Sequence, residues 1–401
     1  MIFYATQDSF GKGWHAQTNW LASQILDLPA EEKSIIKLEN FSTFGFTDIS
    51  RHRSTNQDRA LIAYSASNHT NRNWFLAVVC DGVGGNQASQ HAAALASATI
   101  VQHTAELDGE GSAQAILEAS LSKAHLEVLN RFGGKSSTTV VALLVKGFDA
   151  ALGWAGDSRA YEFLDSITAE QAQITTDDTL GAALNRASIG ISQQLNDDIA
   201  ERLSQAIGAD MPFRPNCTSW IGKAPEATHL LLCTDGVWKP LSTALTALVS
   251  ACSDRSELAR RLLLSSEWLG GNDNATAILL PSIPEIYNSL RDPKNWLPPD
   301  NCAICLPGGK TIILPNLATN QNRSKRHPSP QFSKNISVQS WGPAGIKKQK
   351  TLEPDITEKE KDSLSNSIKK LNKTIEVVAE EESNDDKAKS AQQIHKDKST
   401  D

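Results

Sequence analysis

Four aspartates stand at the ends of strand-length apolar runs, and that placement restricts the fold of this chain more than any other feature. Asp81 closes "FLAVVCDG", Asp235 closes "HLLLCTDG", Asp273 opens "DNATAILLP" and Asp157 follows "ALGWAGD". A fifth, Asp58, lies in "RSTNQDR". Strand ends are where a rigid sheet presents side chains to a cleft. Acids gathered there repel one another unless protons or a cation neutralise them, and a hard divalent ion with oxygen ligands suits such a cluster. Any single Asp-Gly pair also reads as an ordinary turn. Five matched settings favour the cation. The glycine after Asp81 or Asp235 is expected where a backbone carbonyl must turn without side-chain obstruction.

The rest of the chain fits a layered α+β protein. "WFLAVV", "TTVVALLV", "ALGWA", "RAYEFL", "HLLLC" and "ATAILL" read as strands. "QASQHAAALASATIVQHTA" and "SAQAILEASLSKAHLEVLNRF" read as two long helices between the first two strands. Continuous apolar runs such as "HLLLC" predict sheets covered on both faces. Hydrophobic residues make up 40% of 401, enough for a large core. Near the start, Trp14, Leu21, Ile25 and Leu28 mark a helix face expected to pack on the main domain.

Several functions are excluded or disfavoured. A net charge of −7 is the wrong sign for a nucleic-acid footprint. No run of ~18 apolar residues predicts a membrane span, and no basic start with a long apolar segment predicts export. Six cysteines without framework spacing point to a reducing, cytoplasmic setting. Cys80 and Cys233 read as packed thiols, and Cys302 and Cys305 lack a second ligand pair for zinc. "LPGGKT" has Ile304 where a phosphate loop needs its first glycine. Neither Gly-x-Ser-x-Gly nor His-Glu-x-x-His occurs.

In order along the chain, "RSTNQD", "VVCDGVGG", "SSTTVVALL", "GWAGDSRAY", "LLLCTDGVW" and "GGNDNATAI" resemble the protein phosphatase 2C family, the metal-dependent serine/threonine phosphatases of bacterial type. The resemblance covers about Thr43 to Pro281. It implies a four-layer αββα sandwich of two antiparallel sheets flanked by helices, with two Mn²⁺ or Mg²⁺ ions at one end. It implies hydrolysis of phosphoserine or phosphothreonine in proteins by a metal-bridging hydroxide. Asp81 would bridge both metals, the Gly82 carbonyl would bind one, and Asp235 and Asp273 would complete the other. Asp58 and Gln57 would hold water, and Arg53 would grip the phosphate. Partners implied are phosphorylated proteins and a cognate serine/threonine kinase, with no nucleic acid and no membrane.

The chain departs from the family pattern in places. Gln57 replaces a common Glu, and Val83 and Asn86 stand where relatives carry a histidine. Lys239 occupies the place of an acid that, with the acid matched by Asp157, binds a third metal in many relatives. The expectation is an ion pair between Lys239 and Asp157 in place of that metal, or a Lys239 pointing to solvent. The alternative function is a pseudophosphatase that binds phosphoproteins or a kinase without turnover. The expected organisation is an N-terminal extension over 1–42, a catalytic domain over 43–281 and a linker over 282–320 with room for a short ordered segment. A charged tail over 321–401 is expected to be largely disordered, with a short amphipathic helix near 364–378. Asp177, Asp178, Asp197 and Asp198 lie in the stretch expected to govern substrate choice.

Overall fold

The computed structural model describes residues 2–6, 9, 11–27, 33–68, 73–84, 88–107, 111–164, 171–186, 197–219, 228–252 and 254–315. Eight strands form one sheet, in the spatial order Ile2–Tyr4, Lys310–Pro315, Asn301–Leu306, Arg59–Ser65, Trp74–Cys80, Val140–Lys146, Asp149–Ala155 and Asn216–Ser219. Six form a second: Gln171–Gln173, Arg159–Leu164, Thr228–Cys233, Ala275–Leu280, Thr43–Asp48 and Lys33–Leu38, and Gly82–Val83 pairs with Ser137–Thr138 in a small third. Within these sheets only Ile2–Tyr4 against Lys310–Pro315 is parallel.

The pleat explains the unbroken apolar runs. In Trp74–Cys80, Phe75, Ala77 and Val79 face the second sheet, where they cluster with Leu230, Leu232, Ile278 and Leu280. The alternate residues Leu76, Val78 and Cys80 face the other way, into helices. Those helices are Trp14–Leu26, Ala88–Leu107 and Ala113–Phe132. On the far side, Leu231, Cys233 and Leu279 pack under Asp235–Leu241, Leu245–Ser250 and Arg255–Trp268. The layers are therefore helix, sheet, sheet, helix, as the sequence implies. Each buried leucine or valine contributes about 1.5–3 kcal/mol.

Local signals set the helix limits. Ser112 Oγ accepts from the Ala115 amide at 3.2 Å, an N-cap. Gly133, at φ 60°, closes the same helix in the left-handed region. Ala88–Leu107 is alanine-rich and buried on almost every side, because it lies between the sheet and helices Trp14–Leu26 and Ala113–Phe132. Leu21 and Ile25 are fully buried, so the N-terminal helix docks through the expected face.

The expected boundaries at 43 and 281 are too narrow. Ile2–Tyr4 and Lys33–Leu38 are sheet strands, so 1–42 is not an appendage. Asn301–Leu306 pairs with Arg59–Ser65, and Lys310–Pro315 pairs with Asn301–Leu306, so 282–320 is not a simple linker. The composition shift after Pro281 comes from turn residues around short strands. Cys302 and Cys305 are buried on opposite faces of their strand, because a three-residue step reverses the pleat. They cannot share a metal. The tail and its Leu364–Val378 stretch lie outside the described residues.

Candidate active site

Strand registers bring the distant acids together. Arg59 pairs with Cys80, which sets Asp58 beside Asp81. Arg159 pairs with Cys233, and Cys233 with Ala277, so Asp157, Asp235 and Asp273 collect at the corresponding end of the second sheet. A cavity of about 470 Å³ opens there, lined by Arg53, Gln57, Asp81, Gly82, Asp157, Asp235 and Asp273 among others.

Asp58 is placed behind this wall, 1% exposed. Thr234 Oγ1 donates to its Oδ2 at 2.9 Å, while its Oδ1 has no hydrogen-bond partner. Burial first, and then repulsion from Asp235 and Asp273, push Asp58 up to about 7, against Thr276 and Thr234, which favour the anion. Burial and then Asp58, Asp235, Asp157 and Asp273 drive Asp81 well above the carboxylate range. Asp157 rises to about 7 through burial and Asp235, opposed by Lys239. Asp273 rises through burial and Asp235, opposed by Arg53. All four feel the charge of Asp235, and Asp81 feels those of Asp58, Asp157 and Asp273 as well.

Two of the carboxylates are turned onto nearby cations. Arg53 Nη2 donates to Asp273 Oδ2 at 2.7 Å, and its Nε donates to the Asn272 carbonyl at 3.3 Å. Lys239 Nζ lies 3.0 Å from Asp235 Oδ2 and 3.0 Å from Glu201 Oε2. Among the described residues, these are the ion pairs of Lys239, not the expected one with Asp157. The reason is local: Asp235 opens helix Asp235–Leu241, and a residue four positions on shares its face. Nor does Lys239 point only to solvent. With Asp235 and Asp273 so engaged, no three His, Cys, Asp or Glu side chains among the described residues converge as ready ligands. The donor set is nonetheless all oxygen, and Asp235 Oδ1 and Asp58 Oδ1 are buried without partners.

The glycines also meet a steric requirement. A Cβ on Gly82 would stand 2.6 Å from the Ser89 carbonyl oxygen and 2.9 Å from that of Gln57. On Gly236 it would stand 2.0 Å from the Asn274 carbonyl oxygen. Backbone crossing overhead requires glycine after both aspartates.

Several supporting residues escaped sequence reasoning. Thr139 exchanges two bonds with Asp81: its amide donates to the Asp81 carbonyl at 2.8 Å, and its Oγ1 accepts from the Asp81 amide at 3.1 Å. Thr138 Oγ1 donates to the same carbonyl at 2.7 Å. Asn274 Nδ2 donates to the Ile49 and Thr55 carbonyls, and its Oδ1 accepts from the Gln57 amide at 2.9 Å. That clamp positions the loop carrying Arg53. Polar residues interrupting "SSTTVVALL" and "NDNATAI" were the available signal.

A further wall of the cavity comes from Glu201, Arg202, Leu203, Ala206, Ala209 and Met211, within the stretch expected to govern substrate choice. Asp177 is committed to Arg159 at 2.7 Å, and Asp178 accepts from Gly156, Gln205 and Asn216. Both are structural. The side chains of Asp197 and Asp198, and residue Asn86, lie outside the described residues. Val83 lines the cavity. Cys80, next to Asp81, is no nucleophile, because burial raises its thiol to about 12.

Comparison with known proteins agrees with this architecture. The serine/threonine protein phosphatase PstP of Mycobacterium tuberculosis is 26% identical over 243 residues, which is 58% of this chain and 45% of PstP. The chain thus spans about half the length of the curated relatives it matches. Among solved structures, the S. agalactiae serine/threonine phosphatase superposes with a TM-score of 0.51 at 21% identity, covering 62% of this chain and all of that one. Stp1 from Staphylococcus aureus gives 0.50 at 19%, covering 64% and 99%. Both share the fold. The family model described as Protein phosphatase 2C matches residues 49–263, more than half of the sequence, and the chain belongs to that family.

Proposed function

We propose that this protein hydrolyses phosphoserine and phosphothreonine in proteins with two divalent cations, Mn²⁺ or Mg²⁺. One observation carries the reading: acids scattered from Asp81 to Asp273 are brought to one cavity beside a guanidinium, with Asp58 behind its wall and the buried Oδ1 atoms of Asp58 and Asp235 left unpartnered. Asp81, the Gly82 carbonyl, Asp235 and Asp273 would hold the ions. When bound, such a pair makes water more acidic and neutralises charge on a phosphoryl group.

The chain's own residues supply the rest. Arg53 is 43% exposed at the cavity, and its fork suits a phosphate better than an ammonium would. Thr138 and Thr139 fix the backbone of Asp81. Asp58 Oδ1, buried and unpartnered, would hold a water or a proton, with Gln57 on the cavity wall. Lys239 keeps Asp235 oriented and, through Glu201, draws the substrate-choice wall toward it. The phosphoproteins acted on would be products of a serine/threonine kinase. A cytoplasmic location is supported by six free cysteines and by the lack, among the described residues, of any helix long and apolar enough to cross a membrane.

The test is hydrolysis of p-nitrophenyl phosphate and a phosphothreonine peptide with Mn²⁺, with and without EDTA. Wild type is expected to turn over both, EDTA to abolish activity, and Asp81→Asn to lose at least about 10³-fold in kcat/KM. Equal inertness of wild type and Asp81→Asn on both substrates would leave a phosphoprotein-binding scaffold instead.

A further inference from the structure

A second cavity, of about 340 Å³, adjoins the first and shares Arg53, Asp235 and Asp273 with it. Its remaining wall is formed by Lys239, Pro240 and the Leu269–Asn272 turn. Both cations on that wall are already paired, Arg53 with Asp273 and Lys239 with Asp235 and Glu201. Apart from these charged groups, the cavity offers Leu269, Pro240, Asn272 and three glycines. Leu269 is 54% exposed, and Trp268, the next residue in the chain, is 87% exposed. Leu269 thus presents apolar surface at the cavity, with Trp268 exposed next to it in the chain.

This wall is held in place. The Gly271 amide donates to the Ser266 carbonyl at 3.1 Å, Ser50 Oγ donates to the Gly271 carbonyl, and Arg53 Nε donates to that of Asn272. Below it, Glu267 is bound by Lys33 and Arg51. A preorganised site loses less entropy on binding.

We propose that this cavity is a specificity subsite that takes an apolar side chain flanking the phosphoresidue of a protein substrate, with Leu269 and Trp268 as its lip. The inference rests on the phosphatase reading above. Consecutive Cα atoms lie about 3.8 Å apart, so a phosphate on Arg53 brings the neighbouring side chain to the wall that both cavities share. An acidic neighbour finds Asp235 and Asp273 there, whereas an apolar one finds Leu269 and Pro240.

The experiment compares phosphothreonine peptides carrying Leu or Ser on either side of the phosphoresidue, using the full chain with Mn²⁺. Wild type is expected to favour a Leu-flanked peptide, and Leu269→Ala with Trp268→Ala to shrink the Leu-to-Ser ratio of kcat/KM by about tenfold. Leu264→Ala, exposed on the same helix but off this wall, should leave the ratio as it is. Calorimetric affinities of the same peptides for Asp81→Asn, with and without the paired substitutions, read the subsite without turnover. A ratio near one in wild type, or one unmoved by the substitutions in both kinetics and binding, overturns the subsite. Absence of turnover with a Leu269-dependent affinity would overturn the enzymatic reading and keep the subsite.

Discussion

The cavity has two walls of different construction. One is made of strand ends, where Asp81, Asp157, Asp235 and Asp273 are fixed by ladder registers such as Arg59 with Cys80 and Cys233 with Ala277. The other, Glu201 to Met211, is tied down by isolated bridges, Ile207 with Thr138 and Leu203 with Thr179, outside the two large sheets, and meets the strand-end wall through the Lys239–Glu201 pair. A ladder places a side chain through many cooperating hydrogen bonds. A loop wall depends on a few contacts that one substitution can release. On the proposed function, the chemistry would sit on the first kind of wall, and substrate choice would have the second available to it.

The largest expected effect breaks the ladder. Ending the chain after Ser282 removes Asn301–Leu306 and Lys310–Pro315, and with them Cys302, Ile304, Ile312 and Leu314, all almost fully buried. At about 1.5–3 kcal/mol each, that loss rivals a typical total stability of about 5–15 kcal/mol. No cooperative melt should be seen by circular dichroism, whereas a chain ending at residue 320 should melt like the full protein. A normal melt for the shorter chain would mean that the added strands are dispensable.

The next effect concerns the charges on the ladder wall. Asp58 and Asp157 rise from 3.8 to about 7 on folding. Acids with raised pKa values favour the folded state at low pH, and that contribution is lost as pH rises through about 7. In EDTA, the melting temperature should fall between about pH 5 and pH 7.5, and saturating Mn²⁺ should reverse the fall. A metal-free melting temperature that rises across that window would contradict the mutual repulsion.

The smallest effect should come from the loop wall. Glu201→Ala removes one partner of Lys239, and because Glu201 is 63% exposed and Lys239 37%, the stability cost should stay within about 0–1 kcal/mol. KM for a phosphoprotein should rise by a few fold, with kcat for p-nitrophenyl phosphate little changed. Equal losses on both substrates would show that the two walls are not separable.

Much of this could be read from residues alone. Apolar runs ending in Asp identified the strands bearing Asp81, Asp157, Asp235 and Asp273, since burial on both faces leaves an unbroken hydrophobic signature. The edge strands escaped notice. Ile2–Tyr4 is three residues long and exposed throughout, and Lys33–Leu38 has only Ile35 and Ile36 together between polar residues, so neither shows a long apolar run. The partner of Lys239 was misjudged because family spacing pointed to Asp157, whereas helix geometry put Asp235 four residues away on its own face.

The sequence by itself determined the acids and the main strands and helices, because each is recorded in local composition or spacing, while the layered class and the arginine followed from the resemblance its motifs carry. Only the tertiary structure decided which cation meets which carboxylate, why Gly82 and Gly236 must be glycine, and how far the sheets extend toward the chain ends. Those outcomes depend on contacts between residues as far apart as Arg53 and Asp273, whose separation along the chain leaves no periodic trace.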